Sequence, residues 1–262
     1  MDQKIFFKNS LGTKICGTLS STKSKLIVMI CHGLGSNKES SLFRNLRKEI
    51  NSIGIATFSI DLFGHGESGG NYEDITVTEV VDDITKAKDE LKKKGFKEIG
   101  FVGHSIGGFG GLIVESRDKE FKFLALISPS SKYYYREIFT SGLHLIKEWR
   151  EFNKKKVFLQ DTRKSGFKFA FFKDYAKYNR FELFDDVIIP VMIIHGQEDK
   201  LVPYEKSLEL KKRMKNARLK IFRGIDHHYK HPLVQRKLID IITDFISEQT
   251  TDVPEVFIER ID

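Results

Sequence analysis

The stretch Ile99-Gly100-Phe101-Val102-Gly103-His104-Ser105-Ile106-Gly107-Gly108-Phe109-Gly110-Gly111 starts as an apolar run, breaks into glycines around one serine, and resumes with Leu112-Ile113-Val114. A strand that must turn at once into a helix forces its corner residue into strained backbone geometry, so the flanking positions have to be nearly free of side-chain bulk. Gly103 and Gly107, two residues before and two after Ser105, meet that need. Such a turn holds the serine hydroxyl at the strand tip, beside the first amides of the following helix. This is the G-x-S-x-G nucleophile elbow. A tight strand-to-helix turn that merely contains a serine spells the same pentapeptide, so the rest of the chain has to decide.

Upstream, Leu26-Ile27-Val28-Met29-Ile30-Cys31 is continuously apolar, as in a strand covered on both faces of a mostly parallel sheet. It runs into His32-Gly33-Leu34-Gly35-Ser36-Asn37-Lys38, a glycine-rich loop at the carboxyl end of a buried strand, where open α/β sheets place their sites. The amide of Leu34 is the candidate second donor, beside that of Ile106, for an oxyanion; a plain βα turn is the other reading of that loop. Residues 3–8 and 14–19 make an opening hairpin. Residues 39–53 carry Leu42, Phe43, Leu46, Ile50 and Ile53 at helical spacing before a strand at 55–60. A helix from about Thr78 to Lys94 buries Val80, Val81, Ile84, Ala87 and Leu91, and strands at 98–102 and 121–127 bracket the elbow helix, which ends near Arg117. This alternation predicts a parallel sheet with helices on both faces.

The alternation breaks from Ser131 to Asp186, where aromatics such as Tyr133, Trp149, Phe171 and Tyr175 crowd among lysines and arginines. A structureless connection of that length is rare in a compact domain. The stretch reads as a mostly helical cap over the sheet's carboxyl edge, with a few aromatics facing a pocket and the rest packing on one another. Residues 187–194 restore the sheet; a helix near 204–214, a strand at 218–222 and a final helix at about 231–247 follow. The last helix has Leu233, Leu238, Ile241, Ile242, Phe245 and Ile246 as its expected buried stripe, and the tail from Thr250 docks loosely or pairs at an edge.

The 262 residues, 40% hydrophobic and 31% charged, describe an ordinary globular chain long enough for a sizeable core. No apolar run approaches the ~20 residues that cross a bilayer, and Met1-Asp2-Gln3-Lys4 lacks the basic-then-apolar layout of a secretory leader. A cytoplasmic protein without integral membrane association is expected. Cys16 and Cys31, the only cysteines, show no metal-ligand spacing and read as buried thiols in two strands. The net charge of +8 comes from short, separated runs, Lys92-Lys93-Lys94, Lys154-Lys155-Lys156 and Lys211-Lys212-Arg213, which read as solvated faces. No nucleic-acid partner is expected.

A hydroxyl is a poor nucleophile at neutral pH; it needs a base to take its proton and an anion behind that base to fix its tautomer. The chain offers each part on a loop after a strand: Ser105, then Asp199 in Gly196-Gln197-Glu198-Asp199-Lys200-Leu201-Val202-Pro203, then His227 or His228 after Gly224-Ile225-Asp226. Ser, Asp, His is an order such sheets use. Asp199 is preferred to Glu198 by its position just before Leu201-Val202-Pro203. Gly64 to Gly69 also fits G-x-G-x-x-G, but that dinucleotide fingerprint must open a helix directly, and residues 71–75 intervene. His65 and Ser68 in the same loop read as turn residues, and His104 and His195 as packing residues. His227-His228-Tyr229-Lys230-His231 lacks the carboxylate or cysteine partners of a metal cluster, so no metal is expected.

Five motifs taken in order resemble the α/β-hydrolase family from first strand to last helix: His32-Gly33-Leu34-Gly35, the run from Asp61 to Ser68, Gly103 to Gly108, Gly196 to Pro203, and Gly224 to His227. More narrowly, Gly35-Ser36-Asn37-Lys38-Glu39 and the runs Gly66-Glu67-Ser68 and Asp74-Ile75-Thr76-Val77 are similar to the bacterial feruloyl and cinnamoyl esterase group. The resemblance implies an α/β-hydrolase core in residues 1–130 and 187–262 around an inserted cap at 131–186. It implies a catalytic triad of Ser105, Asp199 and His227, the spacing from Gly224 favouring His227 over His228. The oxyanion amides would be those of Leu34, where Phe is frequent, and Ile106, where Gln is frequent. It implies no cofactor, and hydrolysis through an acyl-enzyme of a small-molecule ester with a bulky aromatic or acyl part. Monoacylglycerol lipase or lysophospholipase, thioesterase and peptidase activity on the same triad, a non-catalytic binding module, and a homodimer stay open.

Overall fold

The computed structural model describes residues 2–131, 168–178 and 180–250. An opening hairpin, β1 (Asp2–Lys8) and β2 (Lys14–Ser20), is followed by β3 (Leu26–Cys31), α1 (Ser41–Ser52), β4 (Ala56–Ile60), α2 (Val77–Lys93), β5 (Glu98–His104), α3 (Ile106–Asp118) and β6 (Leu124–Ile127). After α4 (Phe169–Tyr175) come β7 (Val191–Gly196), α5 (Glu205–Arg213), β8 (Ala217–Phe222) and α6 (Pro232–Glu248). The eight strands form one sheet in the order β1-β2-β4-β3-β5-β6-β7-β8. β4 through β8 and β3 run parallel, and the hairpin is antiparallel.

The continuous apolar strands follow from two-sided burial. Ile27, Met29 and Cys31 of β3 enter one core with α2 and α3, while Leu26, Val28 and Ile30 enter the other with α1 and α6. Each such aliphatic side chain contributes about 1.5–3 kcal/mol when fully buried. The chain passes from β3 to β4 on one side and returns to β5 on the other, so the carboxyl ends of β3 and β5 open a crevice at the point of reversal. Both cysteines are buried free thiols in strands. No helix among the described residues is long and apolar enough to cross a membrane.

Three local expectations need correction. β6 begins at Leu124 rather than at 121, because the Phe121 amide donates to the buried Glu115 carboxylate (2.9 Å) instead of a strand neighbour. β7 begins at Val191 rather than at 187, since Pro190 has no N–H for a ladder. Leu233 and Ile53 lie outside their stripes, 75% and 42% exposed: Leu233 follows the Pro232 that opens α6, and Ile53 is where the chain leaves α1. Of the expected cap, residues 132–167 lie outside the described residues, as does the tail from 251. The part at 168–186 holds α4 and two short 3₁₀ turns, and buries Phe171, Tyr175, Tyr178, Phe181 and Phe184 in the core with α2 and α3. Asp174 in this part accepts from the Thr78 amide (2.7 Å) and hydroxyl (2.8 Å), which adds a carboxylate to the amino end of α2.

Asp83 on α2 joins three segments: its carboxyl accepts from the Asn9 side-chain amide (3.0 Å) and from the Phe63 backbone (2.7 Å). Burial pushes its pKa up to about 7, against the effect of those two hydrogen bonds. Between about pH 4 and pH 7 the folded protein therefore keeps a proton that the unfolded chain has released. Stability falls as pH rises through that window, by an amount of order 4 kcal/mol from this group. Asp83→Asn should remove that part of the slope. Urea midpoints at pH 4.5 and 7.5 for both proteins check it, and identical slopes would count against a protonated Asp83.

Candidate active site

Ser105 joins β5 to α3 at φ 52 and ψ −120, in the left-handed half of backbone space. The turn is crowded by main chain. A Cβ on Gly103 would come within 2.6 Å of Gly108 Cα, and one on Gly107 within 2.3 Å of the His32 carbonyl oxygen. Neither obstacle can swing aside, which gives both glycines of the motif a steric reason. Ser128 (φ 42) and Tyr229 (φ 49) share the positive φ and surround the same spot, with the Ser128 hydroxyl 2.9 Å from the Tyr229 hydroxyl. Backbone strain of this kind costs about 1–3 kcal/mol per residue and persists only where packing enforces it.

His227, on the loop after β8, donates from Nδ1 to Asp199 Oδ2 at 2.6 Å. That contact leaves the Nε2 lone pair as the basic atom. Asp199 follows β7, and its other oxygen accepts from the amides of Leu201 (2.9 Å) and Val202 (2.7 Å). Burial alone would raise the Asp199 pKa, but hydrogen bonds from His195 and His227 outweigh it and hold the carboxyl well below its usual range. His195 is the residue that sequence reasoning missed: its Nε2 lies 3.1 Å from Asp199 Oδ2 and 2.8 Å from the Val202 carbonyl, and its Nδ1 is 2.7 Å from the Ser207 hydroxyl. A His four residues before the acid was a usable signal, but only the bend after β7 turns it back onto the carboxylate. His104 also touches the group, 3.0 Å from Nε2 to the His227 carbonyl with ring centroids 4.8 Å apart. Burial and the neighbouring His227 hold the His104 pKa at about 3, so this ring is neutral. His228 lies beside the pair, and Glu198 uses its backbone amide to bond Ile225.

The loop after β3 carries Leu34. The amides of Leu34 and Ile106 have no acceptor among the described residues, and both residues line the cavity that holds Ser105. His65 fixes the loop rather than reacting: its Nδ1 donates to the Phe63 carbonyl (2.8 Å) and its Nε2 accepts from the Gly35 amide (3.1 Å). Ser68 likewise donates to the Asp61 carbonyl (2.7 Å) and accepts from the Cys16 amide (2.9 Å). The Gly64–Gly69 run does not open a helix, since the 3₁₀ turn Tyr72–Asp74 precedes α2. Beneath the loop, the buried Lys38 ammonium sits 2.6 Å from Asp61 and 2.7 Å from Glu67, while the Lys38 amide donates to Asp61 at 2.8 Å. Burial alone would lower the Lys38 pKa, and the two carboxylates reverse that; Lys38 and Lys4 hold Glu67 at about 2. Cys16, Asp61 and Glu67 form one trio of possible metal donors among the described residues, with ligand atoms within 4.8 Å. An ion there would meet the resident ammonium.

A cavity of about 770 Å³ opens over Ser105 and His227. Tyr72, Phe171 and Tyr175 form an aromatic wall with Ile106 beside them, and Ser40, Ser41, Lys230 and Gln235 a polar one. The expected aromatics at the pocket are thus Phe171 and Tyr175, the latter stacked on Phe109 at 5.3 Å. Ser130, 3% exposed, also lines the cavity, and its hydroxyl has no partner among the described residues. An unsatisfied buried hydroxyl costs about 1–3 kcal/mol.

The strand order, with its elbow between β5 and α3, defines an α/β-hydrolase. The chain belongs to the prolyl oligopeptidase family, whose model matches residues 43–252. It is 26% identical over 216 residues to the mitochondrial palmitoyl-protein thioesterase ABHD10 of Mus musculus, covering 78% of this chain and 69% of that protein. It is 30% identical over 104 residues to protein phosphatase methylesterase 1 of Candida albicans, 39% of this chain but only 28% of the methylesterase's length. Among solved structures, Est1E from Butyrivibrio proteoclasticus with ferulic acid bound superposes at TM-score 0.78 with 25% identity, over 94% of this chain and 98% of that one. Mouse ABHD10 superposes at TM-score 0.82 with 21% identity, over 94% and 99%.

Lys38→Met should leave Asp61 buried without its cation and destabilise the fold by about 3–5 kcal/mol. Urea denaturation checks this, and adding Asp61→Asn should recover part of the loss. A single variant within 1 kcal/mol of wild type would mean the ion pair does not hold the loop.

Proposed function

We propose that the protein is a serine ester hydrolase working through an acyl-enzyme on Ser105. One observation carries the reading: the strained Ser105 and the His227–Asp199 pair, joined at 2.6 Å, line or back one cavity. In the proposed cycle Ser105 Oγ attacks the ester carbonyl as His227 Nε2 takes its proton. The carbonyl oxygen, now an oxyanion, accepts from the amides of Leu34 and Ile106, which have no acceptor among the described residues. His227 then gives its proton to the leaving oxygen, and the C–O bond breaks to leave acyl-Ser105. A water molecule repeats the steps, losing its proton to His227 and releasing the acid. Asp199 keeps the Nδ1–H tautomer and offsets the imidazolium charge, while His195 holds the carboxylate in place.

The aromatic wall of Phe171, Tyr175 and Tyr72 favours a bulky aromatic or acyl part. Est1E, a structure that contains ferulic acid, supports that preference at 25% identity. A thioesterase reading on the same residues draws on the likeness to the palmitoyl-protein thioesterase. A panel of p-nitrophenyl butyrate, methyl ferulate, an acyl thioester and a peptide substrate separates them.

Ser105→Ala should lower turnover of the best substrate by up to ~10⁶, and Asp199→Asn by roughly 10⁴ through the wrong imidazole tautomer. A fluorophosphonate probe should label the wild-type protein at Ser105. Equal rates in wild type and Ser105→Ala, or absence of labelling in folded protein, would leave a binding module in place of an enzyme.

A further inference from the structure

We propose that His195 and Ser207 form an outer pair behind Asp199 that sets how strongly the carboxylate steadies the imidazolium of His227, and so fixes the lower pH limit of turnover. Both are positioning residues, since neither reaches the reacting atoms. The inference rests on the roles given above to Ser105, His227 and Asp199 and deepens them.

Oδ2 of Asp199 is shared between two imidazoles. It accepts from His227 Nδ1 at 2.6 Å and lies 3.1 Å from His195 Nε2, while Oδ1 is taken by the amides of Leu201 (2.9 Å) and Val202 (2.7 Å). The Val202 carbonyl lies 2.8 Å from the same His195 nitrogen. A nitrogen that faces a carboxylate and a carbonyl has to carry the ring proton. Nδ1 is then the acceptor, and the Ser207 hydroxyl of α5, 2.7 Å away, donates to it. Donation therefore runs from Ser207 to His195 to Asp199, and His227 meets the same oxygen from the other side. His195 and Ser207 are both 0% exposed, and Asp199 is 6% exposed. In such a dry place each hydrogen bond of a chain polarises the next.

Donation onto Oδ2 draws negative charge away from the atom that faces His227. Burial pushes the Asp199 carboxyl up, and the hydrogen bond from His195 is foremost among those that bring it down. The same bond must weaken the hold of Asp199 on a proton at His227. Among the described residues, the His104 ring of β5 also packs against His227, with His228 and Asp226 on its own loop. Lys230 and Ser105 line the same cavity. Burial and His227 keep the His104 pKa at about 3, so its charge is constant over a working range. The Asp226 carboxylate accepts from the His228 amide at 3.0 Å. His228, Asp226 and Lys230 are common to wild type and to each variant below, so their own titrations cancel in the comparison.

The test is the pH profile of kcat/KM on a neutral ester, whose acid limb reports the essential base of the free enzyme. His195→Leu removes one donor from a carboxylate and should move that limb upward by about half a pH unit or more. His195→Gln, whose side-chain amide can donate to Oδ2 and accept from Ser207, should bring the limb back to its wild-type position. Ser207→Ala should move it upward by a smaller amount. A histidine that only braced the turn from Asp199 to Val202 would, on removal, lower turnover alike at every pH. Titration of the His227 ring by NMR in Ser105→Ala protein needs no turnover, and its resonance is identified by its loss in His227→Asn. Adding the three substitutions to that protein should give the same order of midpoints. A limb and a ring titration unmoved by His195→Leu overturn the proposal, and so does a Gln variant shifted as far as the Leu variant. If His195→Leu does not fold, Ser207→Ala decides: an upward shift supports the outer pair and an unmoved limb overturns it. Failure of the underlying function is read separately. Absence of fluorophosphonate labelling and of Ser105-dependent hydrolysis removes the reaction, while the order of NMR midpoints still supports or overturns the pair.

Discussion

The left-handed backbone at Ser105 is the constraint from which the site follows. A side chain at that φ is stable only if the strand before it and the helix after it are both pinned, and here they are pinned by cores on the two faces of the sheet. The same tight turn brings the first residues of α3 against the end of β3, close enough that a Cβ on Gly107 would strike the His32 carbonyl. β3 and β5 pair in parallel, with Cys31 opposite Gly103, so the loops leaving them start side by side. Two backbone amides without acceptors among the described residues, from Leu34 and Ile106, are the product of that proximity.

Around the serine the chain keeps the buried imidazoles of His32 and His104 neutral and concentrates charge in a few buried places. Burial holds His32 and His104 at pKa values of about 3 and lowers that of His65. Each of these rings can then donate at one nitrogen and, for His32 and His65, accept at the other, tying loops together without adding charge. The exception is Asp199, whose negative charge is held by two imidazoles and two amides. A separate buried charge, Asp61 with Lys38, holds the loop that follows β3.

An α/β-hydrolase core hosts many reactions, and the relatives by name include a methylesterase, a thioesterase and an esterase structure containing ferulic acid. The core does not choose among them. In this chain Phe171, Tyr175 and Tyr72 face a polar wall at the starts of α1 and α6 that holds no carboxylate among the described residues.

Much of this was legible in the sequence by itself. Periodicity marked the strands and helices because two-sided burial demands continuous apolar runs and one-sided burial demands a helical stripe, and motif spacing marked Ser105, Asp199 and His227 because each sits at a strand end where only a few residues can reach the crevice. The misplacements at Phe121, Pro190 and Leu233 arose where an apolar run outlasted the element, since hydrophobicity does not say which amide finds a ladder partner. Tertiary structure alone decided that His195 turns onto Asp199, that His104 lies beneath His227 across 123 residues of chain, and that Lys38 closes on Asp61. It also decided that Lys230 faces a cavity without a carboxylate among its described residues. Those pairings depend on which strand ends become neighbours in the sheet, a property of the assembled order and not of any window of residues along the chain.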